Sequence, residues 1–168
     1  ARGYACATVL PDGRVLVTGG LGDQGQFAYS NEIFDAGMWT DTEDPSLGGP
    51  GGAMAALGTN GNVDYIGRYH HTSTLLPNGQ VLIAGGVGFE GLFDANGNPV
   101  IAEMQSAFLF DPTTNEFLPT ASPLNIPRRG HNATVLPNGQ VLITGGYNSN
   151  AYQPGGGTLP PAEAFDPA

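Results

Sequence analysis

The chain has 168 residues, the length of a single domain, and contains 27 Gly and 14 Pro but only 12% charged residues. Because Gly and Pro both disfavour helix interiors, this composition excludes a protein built from long helices, and no apolar run is long enough to cross a bilayer. Five Arg, no Lys and 15 acidic residues give a net charge of −10, which argues against binding to nucleic acid or to an anionic membrane surface.

The first copy of a repeated unit begins at Arg2. Residues 7–10 form a short β-prone run, the Pro-Asp-Gly that follows is typical of a turn, and residues 15–18 are apolar at nearly every position. A strand without a polar face must be covered on both faces, and the two glycines after it allow a neighbouring backbone to approach closely. A third strand is predicted at residues 32–35 and a fourth around Trp39. Each copy is therefore predicted to be a four-stranded antiparallel meander.

The unit returns twice along the chain. Pro77 and Pro137 stand where Pro11 stands in the first copy, each within a run that ends in Gly-Gly, and the Phe-Asp of the third strand also returns. The predicted blades span about residues 1–47, 68–124 and 128–168, the last without its outer strand. The extra residues of the copies are expected to form loops between strands, at residues 48–67 and 87–103. One such sheet cannot bury both its faces alone, whereas sheets stacked around an axis can.

The shared pattern is Arg-x-x-His-x-x-Thr-x-Leu-Pro-Asn-Gly-x-Val-Leu-x-x-Gly-Gly, followed by Ala-Glu-x-Phe-Asp-Pro. This pattern resembles the bacterial kelch repeat of the galactose oxidase-like superfamily, and the resemblance covers essentially the whole chain. It implies an all-β fold of kelch-type β-propeller blades, namely three four-stranded antiparallel blades of which the last is incomplete. Since propellers have about four to eight blades, we expect the chain to be part of a larger ring or assembly.

Polar residues that recur in the copies are the first candidates for ligand binding, because a propeller binds ligands where the loops of its blades converge. An arginine opens each copy, and a histidine follows three residues later in two of them. The candidates are Arg2, Arg68, Arg128, His71 and His131. The alternative is structural, since buried polar groups are usually paired within the fold, and these side chains would then tie neighbouring strands together.

Two stretches are similar to the copper radical oxidases of the galactose oxidase type. Residues 1–4, Ala-Arg-Gly-Tyr, resemble the opening of the blade that carries the radical tyrosine of that family, and Tyr69-His70 resembles its paired ligands. The resemblance implies that Tyr4, Tyr69 and His70 bind copper and that Tyr4 is the redox-active residue, and oxygen and nitrogen ligands suit copper. The sequence departs from the family at Gly22, where the family has an aromatic residue. The family's further histidine ligand and its cross-linking cysteine lie outside the segment that this chain matches.

Two weaker signals concern calcium and cysteine. Asp94, Asn96 and Asn98 resemble the start of a calcium loop, but Gln105 stands where a glutamate is expected, and a hairpin turn is the alternative. Cys6 is the only cysteine, so an internal disulfide is excluded, and we expect it to be a small buried residue.

Three functions from different classes follow. The first is a non-catalytic scaffold without a cofactor that binds a protein or a glycan, secreted or at the cell surface, as the acidic and Lys-free composition suggests. The second is a copper oxidase, which requires Tyr4, Tyr69 and His70 to converge. The third is a structural role in which open blades pair with further blades of the same or other chains, because unpaired strand edges invite such pairing.

Overall fold

The computed structural model describes residues 2–42, 54–57, 63–149 and 161–167. Every regular element in these ranges is a β-strand. In chain order the strands are β1 (Cys6–Val9), β2 (Val15–Thr18), β3 (Glu32–Asp35), β4 (Met38–Asp41), β5 (Ala55–Leu57), β6 (Val63–Tyr65), β7 (Arg68–Tyr69), β8 (Thr72–Leu75), β9 (Val81–Ala84), β10 (Val87–Phe93), β11 (Pro99–Glu103), β12 (Ala107–Asp111), β13 (Glu116–Pro119), β14 (Asn132–Val135), β15 (Val141–Thr144) and β16 (Glu163–Phe165). No helix in the described ranges is long and apolar enough to span a membrane.

The strands confirm the all-β fold of antiparallel blades. One four-stranded sheet has the order β1-β2-β3-β4, a second has the order β8-β9-β12-β13, and the third pairs β14, β15 and β16 in that order. All pairings within these sheets are antiparallel. In each sheet a Pro-Asx-Gly turn joins the first two strands, and its glycine has a positive φ, as at Gly13 (92°) and Gly79 (88°). The third sheet has three strands within the described residues.

The second sheet lies between the other two, and its strand β9 is therefore buried on both faces. All four residues of β9 are fully buried. Val81 and Ile83 belong to a core cluster shared with Leu16 of the first sheet, while Leu82 packs in a cluster shared with Val141 of the third. Because alternate residues of a strand face opposite sides of its sheet, a strand covered on both sides must be apolar throughout. The expectation from the sequence is thereby confirmed for this strand.

The expectation of a loop at residues 87–103 was wrong. This segment forms the hairpin of β10 and β11, and β10 also pairs with the short β7 to make a separate three-stranded sheet. Aromatic and β-branched residues on both sides of the turn favour strands, and the Asn-Gly within it suits a hairpin turn. Strands β5 and β6 pair with each other within the other predicted loop, residues 48–67. Residues 48–53 and 58–62 of that segment lie outside the described part of the chain.

Candidate functional site

The first strands of the three sheets are neighbours, and this places the equivalent openings of the repeats side by side. Strand β8 contacts both β1 and β14. The hydroxyls of Thr8 in β1 and Ser73 in β8 are 2.6 Å apart. Because these strands follow their Arg-x-x openings in the same way, the residues just before them meet at one end of the sheets. The Pro-Asx-Gly turns lie at the opposite end.

Five side chains form the surface at this end, which we call the mouth surface: Tyr4, Tyr69, His70, Arg129 and Tyr147. The ring centroids of Tyr4 and His70 are 4.4 Å apart, those of Tyr69 and His70 are 5.1 Å apart, and those of the two tyrosines are 6.2 Å apart. The guanidinium carbon of Arg129 lies 4.8 Å from the centroid of the Tyr147 ring. A cavity of about 490 Å³ lies between His70 and the Arg129–Tyr147 pair. The mouth surface therefore consists of three aromatic rings on one side of this cavity and a Tyr–Arg pair on the other.

Two residues of the mouth surface hold a backbone conformation that their side chains disfavour. The φ angles of Tyr4 and His70 are 58° and 56°, and that of the equivalent Gly130 is 60°. This left-handed conformation costs about 1 kcal/mol or more for a residue with a Cβ and little for glycine. The third copy has a glycine at this position, which adopts the conformation without strain. The first two copies have a bulky ring there in spite of the conformational cost. Strain of this kind is typical of functional positions.

The repeated arginines lie within their own sheets. Arg68 is fully buried, and its Nη1 donates to the carbonyl oxygens of Gly85 (2.9 Å) and Ser106 (3.0 Å). Arg128 is also fully buried, and it donates to Gly145 O at 3.0 Å. Arg2 repeats the pattern, with bonds to the carbonyl oxygens of Gly19 (3.2 Å) and Ser30 (2.8 Å) and an ion pair with Glu32 at 2.9 Å. The structure therefore gives these arginines internal partners that join the second strand to the segment before the third, and their role in ligand binding stays a prediction from sequence.

The repeated histidines connect neighbouring blades. The exposed fraction of both His71 and His131 is only 5%. Nε2 of His71 lies 2.8 Å from Oγ1 of Thr18 in the preceding sheet, and Nε2 of His131 lies 3.0 Å from Oγ1 of Thr72. In the described part of the chain, Nδ1 of both rings is buried without a hydrogen-bond partner. These contacts tie blade to blade, and binding of an external ligand by the two histidines likewise stays a prediction.

Burial keeps both histidines uncharged. Desolvation, followed by the positive charge of Arg68, lowers the pKa of His71 to about 3. Desolvation and the charge of Arg128 lower the pKa of His131 to about 4. An imidazolium needs two acceptors, and the surroundings of each ring supply one. Both rings are therefore neutral at physiological pH.

The glycine pairs that follow β2 and β9 contact the first residues of the next blade. The N–H of Gly20 donates to Arg68 O at 2.8 Å, and that of Gly86 donates to Arg128 O at 2.8 Å. A Cβ on Gly85 would lie 2.6 Å from Arg128 O and 2.8 Å from Cε1 of His131. The Gly-Gly of one copy and the Arg-x-x-His of the next thus form one interlocking contact. The half-buried thiol of Cys6 adds a bond to His71 O at 3.1 Å, and burial raises the pKa of that thiol.

The three residues that the resemblance assigns to copper, Tyr4, Tyr69 and His70, do converge in the mouth surface. Their ring centroids lie 4.4 to 6.2 Å apart, and phenol oxygen and imidazole nitrogen are donor types that suit copper. Among the described residues there is no group of three or more His, Cys, Asp or Glu side chains that could hold a metal. Copper binding by Tyr4, Tyr69 and His70 therefore stays a prediction from sequence.

The segment that resembles a calcium loop is the hairpin turn between β10 and β11. Oδ1 of Asp94 accepts hydrogen bonds from the backbone N–H groups of Asn96 (2.8 Å) and Asn98 (2.9 Å). Hydrogen bonds from Asn98 and Asn96 hold the pKa of the Asp94 carboxyl below its ordinary value. The carboxylate thus organises the turn, and calcium binding stays a prediction from sequence.

Sequence reasoning missed Arg129 and Tyr147. Each lies at a repeat position whose residue changes from copy to copy, and the two positions face each other across the strand ends. The facing pairs are Gly3 with Leu21, Tyr69 with Val87, and Arg129 with Tyr147. The signal that could have found them is therefore the variation between copies, whereas attention to conserved repeat positions leads to the buried arginines and histidines.

Known proteins share the fold of this chain. No protein-family model matches the sequence. The chain is 26% identical over 165 residues to an F-box/kelch-repeat protein of Arabidopsis thaliana, a match that covers 90% of this chain and 30% of that protein. It is similar to the solved structure of YjhT, with a TM-score of 0.57 and 20% identity, over 89% of this chain and 35% of the other. The chain thus spans about a third of the length of these proteins and has a kelch-like fold built of propeller blades.

Proposed function

We propose that this chain is a non-catalytic kelch-type scaffold that binds a partner protein through the mouth surface. One observation carries the proposal. Tyr4 is 62% exposed, its ring contacts the tilted ring of His70, and it has a strained left-handed backbone conformation. An exposed ring held at a conformational cost is better explained by contact with a ligand than by the stability of the fold.

The composition of the mouth surface favours a protein as the partner. Tyrosine and arginine are, with tryptophan, the residues enriched at the energetically dominant positions of protein interfaces. The rigid blades hold their rings in place, so little side-chain entropy is lost on binding. We place the protein in the galactose oxidase-like superfamily of bacterial kelch proteins, secreted or at the cell surface. Its acidic, Lys-free sequence and its repeat pattern support this assignment.

The experiment is selection of peptides from a displayed library, followed by titration of each selected peptide. We expect Tyr4→Ser to weaken binding by about tenfold or more, as for a central interface tyrosine. The matched control is Leu118→Ser on β13, because Leu118 is similarly exposed at 56% but lies away from the mouth surface. That control should leave the affinity within about twofold of the parent chain. Peptides that bind both variants equally well would refute the proposal, and selective binding of glycans at the same residues would change the class of partner.

A copper oxidase is the second candidate, and the convergence of Tyr4, Tyr69 and His70 favours it. Copper bound there would supply one-electron redox chemistry, while the chain would supply the two phenols and the imidazole as ligands. Addition of Cu²⁺ to the metal-free protein, with measurement of bound metal and of the paramagnetic signal, tests this candidate. His70→Gln should abolish tight uptake, whereas Tyr29→Phe, which changes an exposed tyrosine outside the trio, should not. Equal uptake by the parent chain and His70→Gln would eliminate the candidate.

A further inference from the structure

Arg129 differs from the other four arginines of the chain. Its side chain is 37% exposed, whereas the next most exposed, Arg14, is at 21% and is held by Asp12 and by Pro112 O. Arg68 and Arg128 are fully buried, and Arg2 is bonded within its own sheet. In a chain with a net charge of −10, the most accessible arginine thus stands in the mouth surface.

The structure holds Arg129 in a fixed orientation. Its Nε donates to Oε1 of Glu103 at 3.2 Å, and the side chain of Glu103 is only 6% exposed. Ser149 donates its hydroxyl to the other oxygen of that carboxylate at 2.5 Å. Burial alone would raise the pKa of Glu103, but hydrogen bonds from Ser149 and the charge of Arg129 outweigh it and keep the pKa below its ordinary value. The guanidinium carbon also lies over the Tyr147 ring, 4.8 Å from its centroid.

Glu103 occupies only the Nε side of the Arg129 guanidinium. Nε is engaged by Glu103, while Nη1 and Nη2 have no hydrogen-bond partner among the described residues. The adjoining cavity, of about 490 Å³, is lined by Arg129, His70, Tyr147 and two glycines. Two parallel N–H donors on a pre-oriented guanidinium match the two oxygens of a carboxylate. A similar donor pair buried in Arg68 is instead consumed by backbone carbonyls and Ser106.

We propose that Arg129 binds a carboxylate of the partner protein while the neighbouring rings of the mouth surface contact an adjacent aromatic or apolar residue. The inference rests on the proposed function and specifies the chemistry that the mouth surface recognises. A singly charged carboxylate suits the site better than a phosphate, because Glu103 already carries one negative charge beside the guanidinium. A second, doubly charged anion would meet stronger repulsion there and from the net charge of the chain.

The test compares acids with their neutral amides, so that shape stays constant while charge changes. One pair is N-acetyl-Tyr-Asp-Gly-amide against N-acetyl-Tyr-Asn-Gly-amide, which places the carboxylate on a side chain. The other pair is N-acetyl-Gly-Gly-Tyr with a terminal carboxylate against the same peptide with a terminal amide. Binding is measured by chemical-shift titration with the whole chain, with Arg129→Gln and with Arg129→Lys. Thermal melts of both variants establish that they are folded.

We expect the acid of at least one pair to bind about tenfold more tightly than its amide, as for a charge-assisted bidentate pair. The pair that shows the preference identifies the source of the carboxylate. Arg129→Gln should abolish the preference without weakening the amide, and Arg129→Lys should retain only part of it because lysine lacks the planar fork. Equal binding of acid and amide by the parent chain in both pairs overturns the inference but leaves the proposed function standing if Tyr4→Ser still weakens both. Absence of binding by either acid also overturns the inference, while the proposed function is judged separately by the peptide selection.

Discussion

The two buried histidines predict that the fold loses stability as the pH falls below neutrality. In the folded chain the pKa of His71 is about 3 and that of His131 is about 4, while an unfolded histidine titrates near 6.5. The unfolded chain therefore binds protons in a pH range where the folded chain binds none. Because stability rises with pH wherever the unfolded state binds more protons, it must fall on acidification from about pH 6.5 to pH 4 for His131 and to pH 3 for His71.

The magnitude follows from the same values. At pH 5 an unfolded histidine is almost fully protonated, whereas either folded ring is still largely neutral. The linkage relation then gives a loss of ~2 kcal/mol in the free energy of unfolding for each ring between pH 7 and pH 5. His71 and His131 together account for ~4 kcal/mol, a large part of the stability of an ordinary domain.

Urea denaturation at pH 7 and at pH 5, followed by circular dichroism, measures this loss. In His71→Gln the substituted side chain keeps a polar contact with Thr18 but does not titrate, so this variant should lose ~2 kcal/mol less than the parent chain on acidification. Carboxyl groups titrate alike in both proteins and cancel in the difference. Thr18→Val is the control, since it removes the hydrogen-bond partner of Nε2. It should lower the free energy of unfolding by about 1–3 kcal/mol at pH 7 and leave its pH dependence unchanged.

Equal losses of stability by the parent chain and by His71→Gln between pH 7 and pH 5 would refute this role of His71. That result would mean that His71 accepts a proton in the folded state without cost. Such a proton would need a second acceptor at Nδ1, where the described residues supply none. A loss that is smaller in His131→Gln but unchanged in His71→Gln would confine the effect to the third blade.

Three further outcomes are expected. Tyr4→Gly should be more stable than Tyr4→Ala by about 1 kcal/mol in urea denaturation, the reverse of the usual order, because only glycine adopts a φ of 58° without strain; an Ala variant of equal stability would contradict this. Gly85→Ala should cost about 3 kcal/mol in the same assay, since its Cβ would meet Arg128 O, whereas Gly25→Ala, with a φ of 76° and open space around it, should cost about 1 kcal/mol. The hypothesis that strand edges of separate copies pair predicts a sedimentation mass that is a multiple of the protomer mass; a mass of one protomer at every protein concentration would refute it.

Much of the fold could be predicted from the sequence because the same pattern of strands and turns occurs three times. The Pro-Asx-Gly turns, the apolar second strands and the Gly-Gly ends each have a local physical reason, and together they predict the antiparallel blades. The hairpin of β10 and β11 was missed because the sequence of residues 87–103 does not recur in the other two copies, so no comparison between copies supports it. Its aromatic and β-branched residues indicated strands, and its length alone had suggested a loop.

The site was harder to predict because repetition and function make opposite demands on a residue. A position that must fit the same contact in every blade keeps its residue, and Arg68, Arg128, His71 and His131 are accordingly buried in such contacts. A position that contacts a ligand experiences a different part of that ligand in each blade, so its residue differs between copies. At the mouth surface the equivalent left-handed position carries Tyr4, His70 or Gly130 on nearly identical backbones. In a repeat protein the residues that break the pattern at exposed, strained positions are therefore better candidates for binding than those that maintain it.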